Sequence, residues 1–382
     1  MKIGIFSFFL FLFLACKILE SLYEPLRYLK YALPFLAFVL YFFVDSAKLD
    51  YNYFSYLNTF FIFYLLVVVY LLIKVLSLGE FQERFIPNAS FILLPLLFIY
   101  SISPFFKEKN IKEYVKVIFF VSIFIFIWLD GENVFLVVTN LGLLKEAVLS
   151  STIITECALA YAMGLFLFYF ITEKYPKKYI IASAVMFVLC YKRIAIGGFI
   201  IAYLCYYLST NIFKIWIEKY KMIFVLIGVG ANLAFIKLVS LIVNGDLDKI
   251  IYQYTGISAN HLLMGRKTLY SIPMDHVGGM SWSGIGLGKV DMLLLEAFGE
   301  KHPLHSDILN NYLEFGVILF IIWLVLLFYK TSFSNKAFSL LIYFNIMMFT
   351  DNVFIYFDFM FYFYLFILIY IFQTLPKQKT AV

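Results

Sequence analysis

Apolar runs recur so densely along this chain that only one long stretch lacks one, and this spacing constrains the fold more than any motif. Twelve runs are visible, at about 3–18, 30–45, 57–77, 89–105, 114–129, 152–172, 178–190, 194–208, 222–243, 312–329, 337–350 and 354–373. A helix needs about 20 residues to cross a hydrocarbon core, so several runs are short for a span. With 64% hydrophobic and 14% charged residues, the chain lacks the polar side chains to cover a soluble surface, since soluble domains are about 25% charged. The expected fold class is an all-α integral membrane protein of about twelve transmembrane helices, with one large periplasmic loop containing short helices. The expected organisation places spans one to nine in 1–243, the loop in 244–311 and spans ten to twelve in 312–382. The run at 178–208 is interrupted only by Tyr191-Lys192-Arg193, and reads as two short helices or one kinked helix.

Orientation follows from lysine and arginine. An even span count puts both termini on one side, and placing them in the cytoplasm gives sixteen Lys/Arg inside against eight in the short outer segments. The loop at 244–311 is then periplasmic. The first residues resemble a signal peptide, with Lys2 and an apolar stretch ending Leu14-Ala15-Cys16. There is no small-residue cleavage site and the next apolar run follows at once, so the segment reads as an uncleaved helix. Cys16, Cys157, Cys190 and Cys205 all sit in apolar runs, without the spacing of a zinc site or a disulfide framework. No Lys/Arg-rich run points to nucleic acid.

The loop opens at 246–272 with helical spacing, where Leu247, Ile250, Ile251, Tyr254, Leu262, Leu263 and Leu269 form a candidate apolar face. Such a helix would lie on the membrane surface or pack on the bundle. From 265 onward the loop is rich in reactive side chains: Gly265-Arg266, then Gly284-Ile285-Gly286-Leu287-Gly288, then His302-Pro303-Leu304-His305-Ser306-Asp307, then Asn310, Asn311, Glu314 and Gly316. His261, His276, His302 and His305 are the chain's four histidines, and imidazole suits general-base work near neutral pH. His302 and His305 have the spacing of two ligands on one helical face, but apart from Asp307 no further group completes a metal set.

Arg266 and Arg193 each present a planar fork of donors suited to phosphate. Lys192 and Arg193 interrupt otherwise continuous apolar sequence, where charge is costly and is usually functional or paired. An interfacial snorkelling role is the alternative for either arginine. The glycine triplet is not followed by the pattern of a dinucleotide fold and reads as a tight turn. Lys237 and Glu156, inside expected spans, are secondary candidates, and Asp351 and Asp358 fall near the expected outer membrane boundary; burial with a partner explains each equally well.

In order and spacing these residues resemble the O-antigen polymerase and O-antigen ligase family of bacterial inner membranes. That family shows an arginine at the outer end of a mid-chain helix, a Gly-Arg opening the periplasmic loop, a Gly-x-Gly-x-Gly turn, and a closing pattern like His-Asn-Asp-Tyr-Leu followed by Glu-x-Gly. The matching positions are Arg193, Gly265-Arg266, Gly284/Gly286/Gly288, His305-Ser306-Asp307-Ile308-Leu309 and Glu314-Phe315-Gly316, with Ser306 in place of Asn and Ile308 in place of Tyr.

The resemblance implies a polysaccharide polymerase: a metal-independent glycosyltransferase without a cofactor, joining undecaprenyl-pyrophosphate-linked oligosaccharides. It implies His305 as base, and Arg266 and Arg193 as stabilisers of the leaving pyrophosphate. His302, Asp307, Glu314, Lys192 and Trp282 are the expected substrate-binding residues. The expected partners are the lipid-linked glycan, the bilayer, a chain-length regulator and a flippase, and no nucleic acid. Three other readings compete, one of them a structural or scaffolding membrane protein, which would leave the Arg/His constellation unexplained. A ligase would move the glycan onto lipid A core. A flippase or other transporter would place polar residues at the bilayer midplane in two related halves, which the sequence does not show.

Overall fold

The computed structural model describes residues 5–23, 28–43, 51–78, 83–103, 108–139, 159–190, 192–212, 219–263 and 265–374. Glu156 and Cys157 lie outside these residues, as do Lys2, Arg27, Lys48, Lys107, Lys145, Lys214, Lys377 and Lys379. Among the described residues all regular structure is helical, and the described part of each of the twelve apolar runs is mainly helical. Four helices are long and apolar enough to cross a membrane, Asn58–Ser77, Phe85–Ile102, Arg193–Asn211 and Lys221–Val243. Shorter apolar helices occupy Leu29–Leu40, Leu159–Thr172, Val317–Thr331 and Phe357–Phe372. Exposed apolar residues along Asn58–Ser77, such as Leu66, Ile73 and Leu76, suit contact with lipid, because a helix satisfies its own backbone there.

The interrupted run at 178–208 forms two helices, Lys177–Leu189 and Arg193–Asn211. The run beginning at 312 is also divided, because Gly316 adopts a φ of 82° between Asp307–Phe315 and Val317–Thr331. The segment 246–272 forms three short helices rather than one, Asp248–Thr255, Ala259–Leu262 and the beginning of Arg266–Val277. Gly256 (φ 66°) and Gly265 (φ 82°) turn the chain out of helical geometry between them. Asp248–Thr255 has no fully buried residue, and Lys267 ties it down by gripping both oxygens of Asp248.

The chain divides into two compact units, a division by compactness rather than by membrane segment, and it passes through three of the long helices. The first unit comprises Met1–Phe61, Leu94–Tyr203 and Phe357–Val382. Its centre is Phe357–Phe372, in which all residues but Asp358 and Phe372 are buried. Aromatic rings pack around it, with Phe13 on Phe361 at 4.7 Å and Tyr169 stacked on Phe366 at 4.6 Å. Asp358 is half-buried and has a partner: Lys17 lies 2.8 Å from its Oδ2 and also donates to the Tyr362 hydroxyl. Cys16 and Cys190 are buried and Cys205 is half-buried.

The second unit comprises Ile62–Leu93 and Leu204–Tyr356. Trp323 is fully buried in it, and its indole N–H donates to the Tyr64 hydroxyl at 2.6 Å, the partner a buried indole requires. Every loop residue from 244 onward that the sequence singles out belongs to this unit.

Lys17→Met should leave the half-buried Asp358 carboxylate with only the Lys30 charge to offset it, at a cost of about 1–3 kcal/mol, read as a lower unfolding temperature in detergent. Combining it with Asp358→Leu should recover most of the loss. A double variant as unstable as the single one would show that the ion pair is not the cause.

Candidate functional site

The site is built on a crossing of two backbone segments within the second unit. Ile285 N–H donates to Leu313 O at 2.9 Å, Gly286 N–H to Glu314 O at 3.2 Å, and Val317 N–H to Ser281 O at 2.9 Å. Gly284 and Gly316 meet at the crossing, and a Cβ on either would collide with the other segment's backbone. Both have left-handed φ values, 72° and 82°, where a Cβ adds strain of its own. The glycine triplet and the Glu-x-Gly motif, 26 residues apart between Gly288 and Glu314, are therefore one structural unit.

Glu314 is fully buried. Its Oε1 accepts from Gly288 N–H at 2.8 Å, placing a carboxylate at the N-terminus of Lys289–Phe298, where anions are favoured. Its Oε2 accepts from the Asn310 amide. Lys74 fastens the crossing from another helix by donating to the carbonyls of Ser283 and Gly284.

His305 occupies the turn before Asp307–Phe315 with a φ of 58°, unusual for a residue with a Cβ and a form of strain that clusters at functional sites. Five contacts hold this turn. Ser306 caps the helix by accepting from Leu309 N–H, and its hydroxyl donates to Met348 O. Asp307 N–H donates to Asp351 O at 3.2 Å, and Phe354 N–H donates to Asp307 Oδ2 at 3.1 Å. The Tyr270 hydroxyl reaches the His305 carbonyl at 3.4 Å.

His305 Nδ1 lies 3.8 Å from Asp351 Oδ1. This is an electrostatic pairing longer than a hydrogen bond, of the loose kind seen before substrate tightens a site. Burial pushes the Tyr270 phenol up, opposed by the Arg266 guanidinium that lies against its hydroxyl. Arg266, Tyr270, His305 and Asp351 thus form one connected cluster, with Arg266 at the start of the helix Arg266–Val277.

A cavity of about 340 Å³ lies beside this turn, lined among others by Arg84, Asp291, His302, Asp307, Asn311 and Glu314. Asp291 accepts from the Asn88 amide at 3.0 Å. Burial raises its pKa, while the Asn88 hydrogen bond and the Arg84 charge oppose the shift. Burial also raises Asp307 well above the ordinary carboxyl range, opposed by N–H donors from Phe354 and Val353 and reinforced by the neighbouring Asp351 charge. His302 Nε2 pairs with Glu300 at 3.1 Å.

The structure links Arg266 to His305 through Tyr270, and brings Asp307, Glu314 and His302 around the adjoining cavity. Trp282 is exposed, with 64% of its surface accessible, and contributes its backbone to the crossing. His261 and His276 sit at the ends of Ala259–Leu262 and Arg266–Val277, and Lys237 is exposed on Lys221–Val243. Lys192 and Arg193 belong to the first unit, where the Lys192 ammonium lies 5.3 Å from the centre of the Tyr161 ring. Among the described residues no group of three or more His, Cys, Asp or Glu side chains is placed to hold a metal ion.

Sequence reasoning did not find Tyr270, Asn88, Arg84, Asp291 or Asn352, and it left Asp351 without its histidine partner. The polar pair Asp351-Asn352 amid apolar sequence is the one signal that marks any of them. Comparison with family models, curated proteins and solved structures gives no match.

The raised pKa of Asp307 sets a direction. The native state holds this proton more tightly than the unfolded chain, so the stabilisation is complete below about pH 3.8, the ordinary value. It is lost as pH rises through the native value. Asp307→Asn cannot titrate and should flatten the decline in unfolding temperature over that range. An unchanged decline would assign it to another group.

Proposed function

We propose that this chain is a metal-independent glycosyltransferase of the bacterial inner membrane, a polysaccharide polymerase that joins undecaprenyl-pyrophosphate-linked oligosaccharide repeat units. In this reading the chain crosses the membrane about twelve times with both termini cytoplasmic, and the segment 244–311 works in the periplasm. The observation that carries the reading is the cluster around His305: a histidine in a left-handed turn, a carboxylate facing its Nδ1, and a guanidinium linked to its carbonyl through Tyr270. The donor class rests on the order of the loop motifs and their resemblance to O-antigen polymerases.

The chemistry needs a base and a cation. An acceptor hydroxyl attacks the anomeric carbon, and the bond from that carbon to the pyrophosphate oxygen breaks with its electron pair leaving on the pyrophosphate. The hydroxyl proton passes to His305 Nε2, while Asp351 favours the imidazolium that forms. The side chain of His305 is 39% exposed, open enough to meet an acceptor. Arg266 neutralises charge gathering on the leaving group, an interaction stronger in the transition state than before it. Glu314, committed to backbone donors, acts by holding the frame. The roles of Arg193 and Lys192 stand on the sequence resemblance alone.

Purified protein given a short undecaprenyl-pyrophosphate-linked repeat should build a ladder of longer lipid-linked glycans, unaffected by chelator. His305→Ala should lose about 10²–10⁴-fold in rate, Arg266→Ala about 10²–10³-fold, and Tyr270→Phe an intermediate amount. A single transferred chain, appearing only when lipid A core is supplied, would make the protein a ligase. Absence of transfer in both assays would overturn the enzyme reading.

A further inference from the structure

The cavity beside the His305 turn holds polar atoms that the protein does not satisfy. Asn310 Oδ1, Asn311 Nδ2 and Asn352 Oδ1 are buried without a hydrogen-bond partner among the described residues. All three residues line this cavity, and Asn311 and Asn352 are only 3% and 8% exposed. Buried amides are almost always paired, and unpaired ones gathered at one place call for a ligand or ordered water to complete them. One donor and two acceptors around a single space match a ligand that carries several hydroxyls, each able both to give and to take a hydrogen bond.

The rest of the lining narrows the class. Phe354 and Leu287 supply an apolar wall, suited to the C–H face of a ring. The Arg84 charge already offsets Asp291, the Asp307 carboxyl is turned toward backbone N–H groups, and of the other basic residues in the lining Lys301 is exposed and His302 pairs with Glu300, which leaves no buried cation for an anionic substituent. Its size falls in the range of small-molecule sites. The geometry points to a subsite for one uncharged sugar ring, held by Asn310, Asn311 and Asn352. This rests on the glycosyltransferase reading for its place in the reaction, as the position that seats a sugar next to the base, but the binding itself does not.

Saturation-transfer NMR on the full-length protein in detergent tests it, using methyl hexopyranosides, N-acetylhexosamines and a methyl glucuronide as probes. At least one uncharged sugar should give a saturable signal, with the anionic glucuronide weaker. Asn311→Leu and Asn352→Leu should each weaken binding tenfold or more while leaving the unfolding temperature of the sugar-free protein unchanged or raised, because an unpaired amide is replaced by a packed apolar side chain. Amides needed only for structure would instead lower that temperature, and this result would overturn the proposal. So would a wild-type protein that binds none of the uncharged sugars, meaning that the cavity holds water alone.

The transfer assay separates this inference from the functional reading. Sugar binding without transfer removes the enzyme and keeps the subsite. Transfer at wild-type rate and KM in both leucine variants removes the subsite and keeps the enzyme.

Discussion

Two chain segments can approach to backbone contact only where neither carries a side chain, and the second unit is organised around such a place. At the Gly284–Gly316 crossing, the turn that begins Lys289–Phe298 and the turn that separates Asp307–Phe315 from Val317–Thr331 are each other's packing surface. Glu314 then joins them a second time through its carboxylate on Gly288 N–H. The floor of the cavity, the start of one helix and the end of another are fixed together, so a shift in any one is resisted by the rest. Lys74 extends the constraint to the helix Tyr51–Leu78 through the carbonyls of Ser283 and Gly284.

On this frame the carboxyl groups divide into different kinds of work. Glu314 and Asp307 accept from backbone N–H groups and hold turns, which is how buried acids contribute most to a fold. Asp351 faces the His305 ring instead. The strained backbone at His305 is maintained by neighbours from three directions: the Ser306 cap, the Tyr270 hydroxyl and the segment after Asn335–Thr350. Strain persists in a native protein when such surroundings over-determine it.

Local pattern made much of this legible. Apolar runs coincide with helices because the backbone of an apolar segment has no better way to satisfy itself. The loop motifs were visible because His, Arg and Gly are conspicuous in a chain that is 64% hydrophobic. What sequence could not supply was pairing across distance. Nothing near Asp351 announces His305, and nothing near Asn88 announces Asp291. Glu314 was expected near substrate, and although it lines the cavity its oxygens are engaged by Gly288 and Asn310. The single helix expected over 246–272 failed for a local reason, because apolar spacing was weighed without the stops at Gly256 and Gly265.

The cavity also has a history in time. Asn88 and its partner Asp291 are 203 residues apart, and the remaining wall arrives with Asn352 and Phe354. During synthesis, at about 5–20 residues per second, Arg84 and Asn88 leave the ribosome well before anything exists for them to bind. The polar side chains of the earlier helices therefore wait for their partners until Asp291, and then Asn352 and Phe354, have been made.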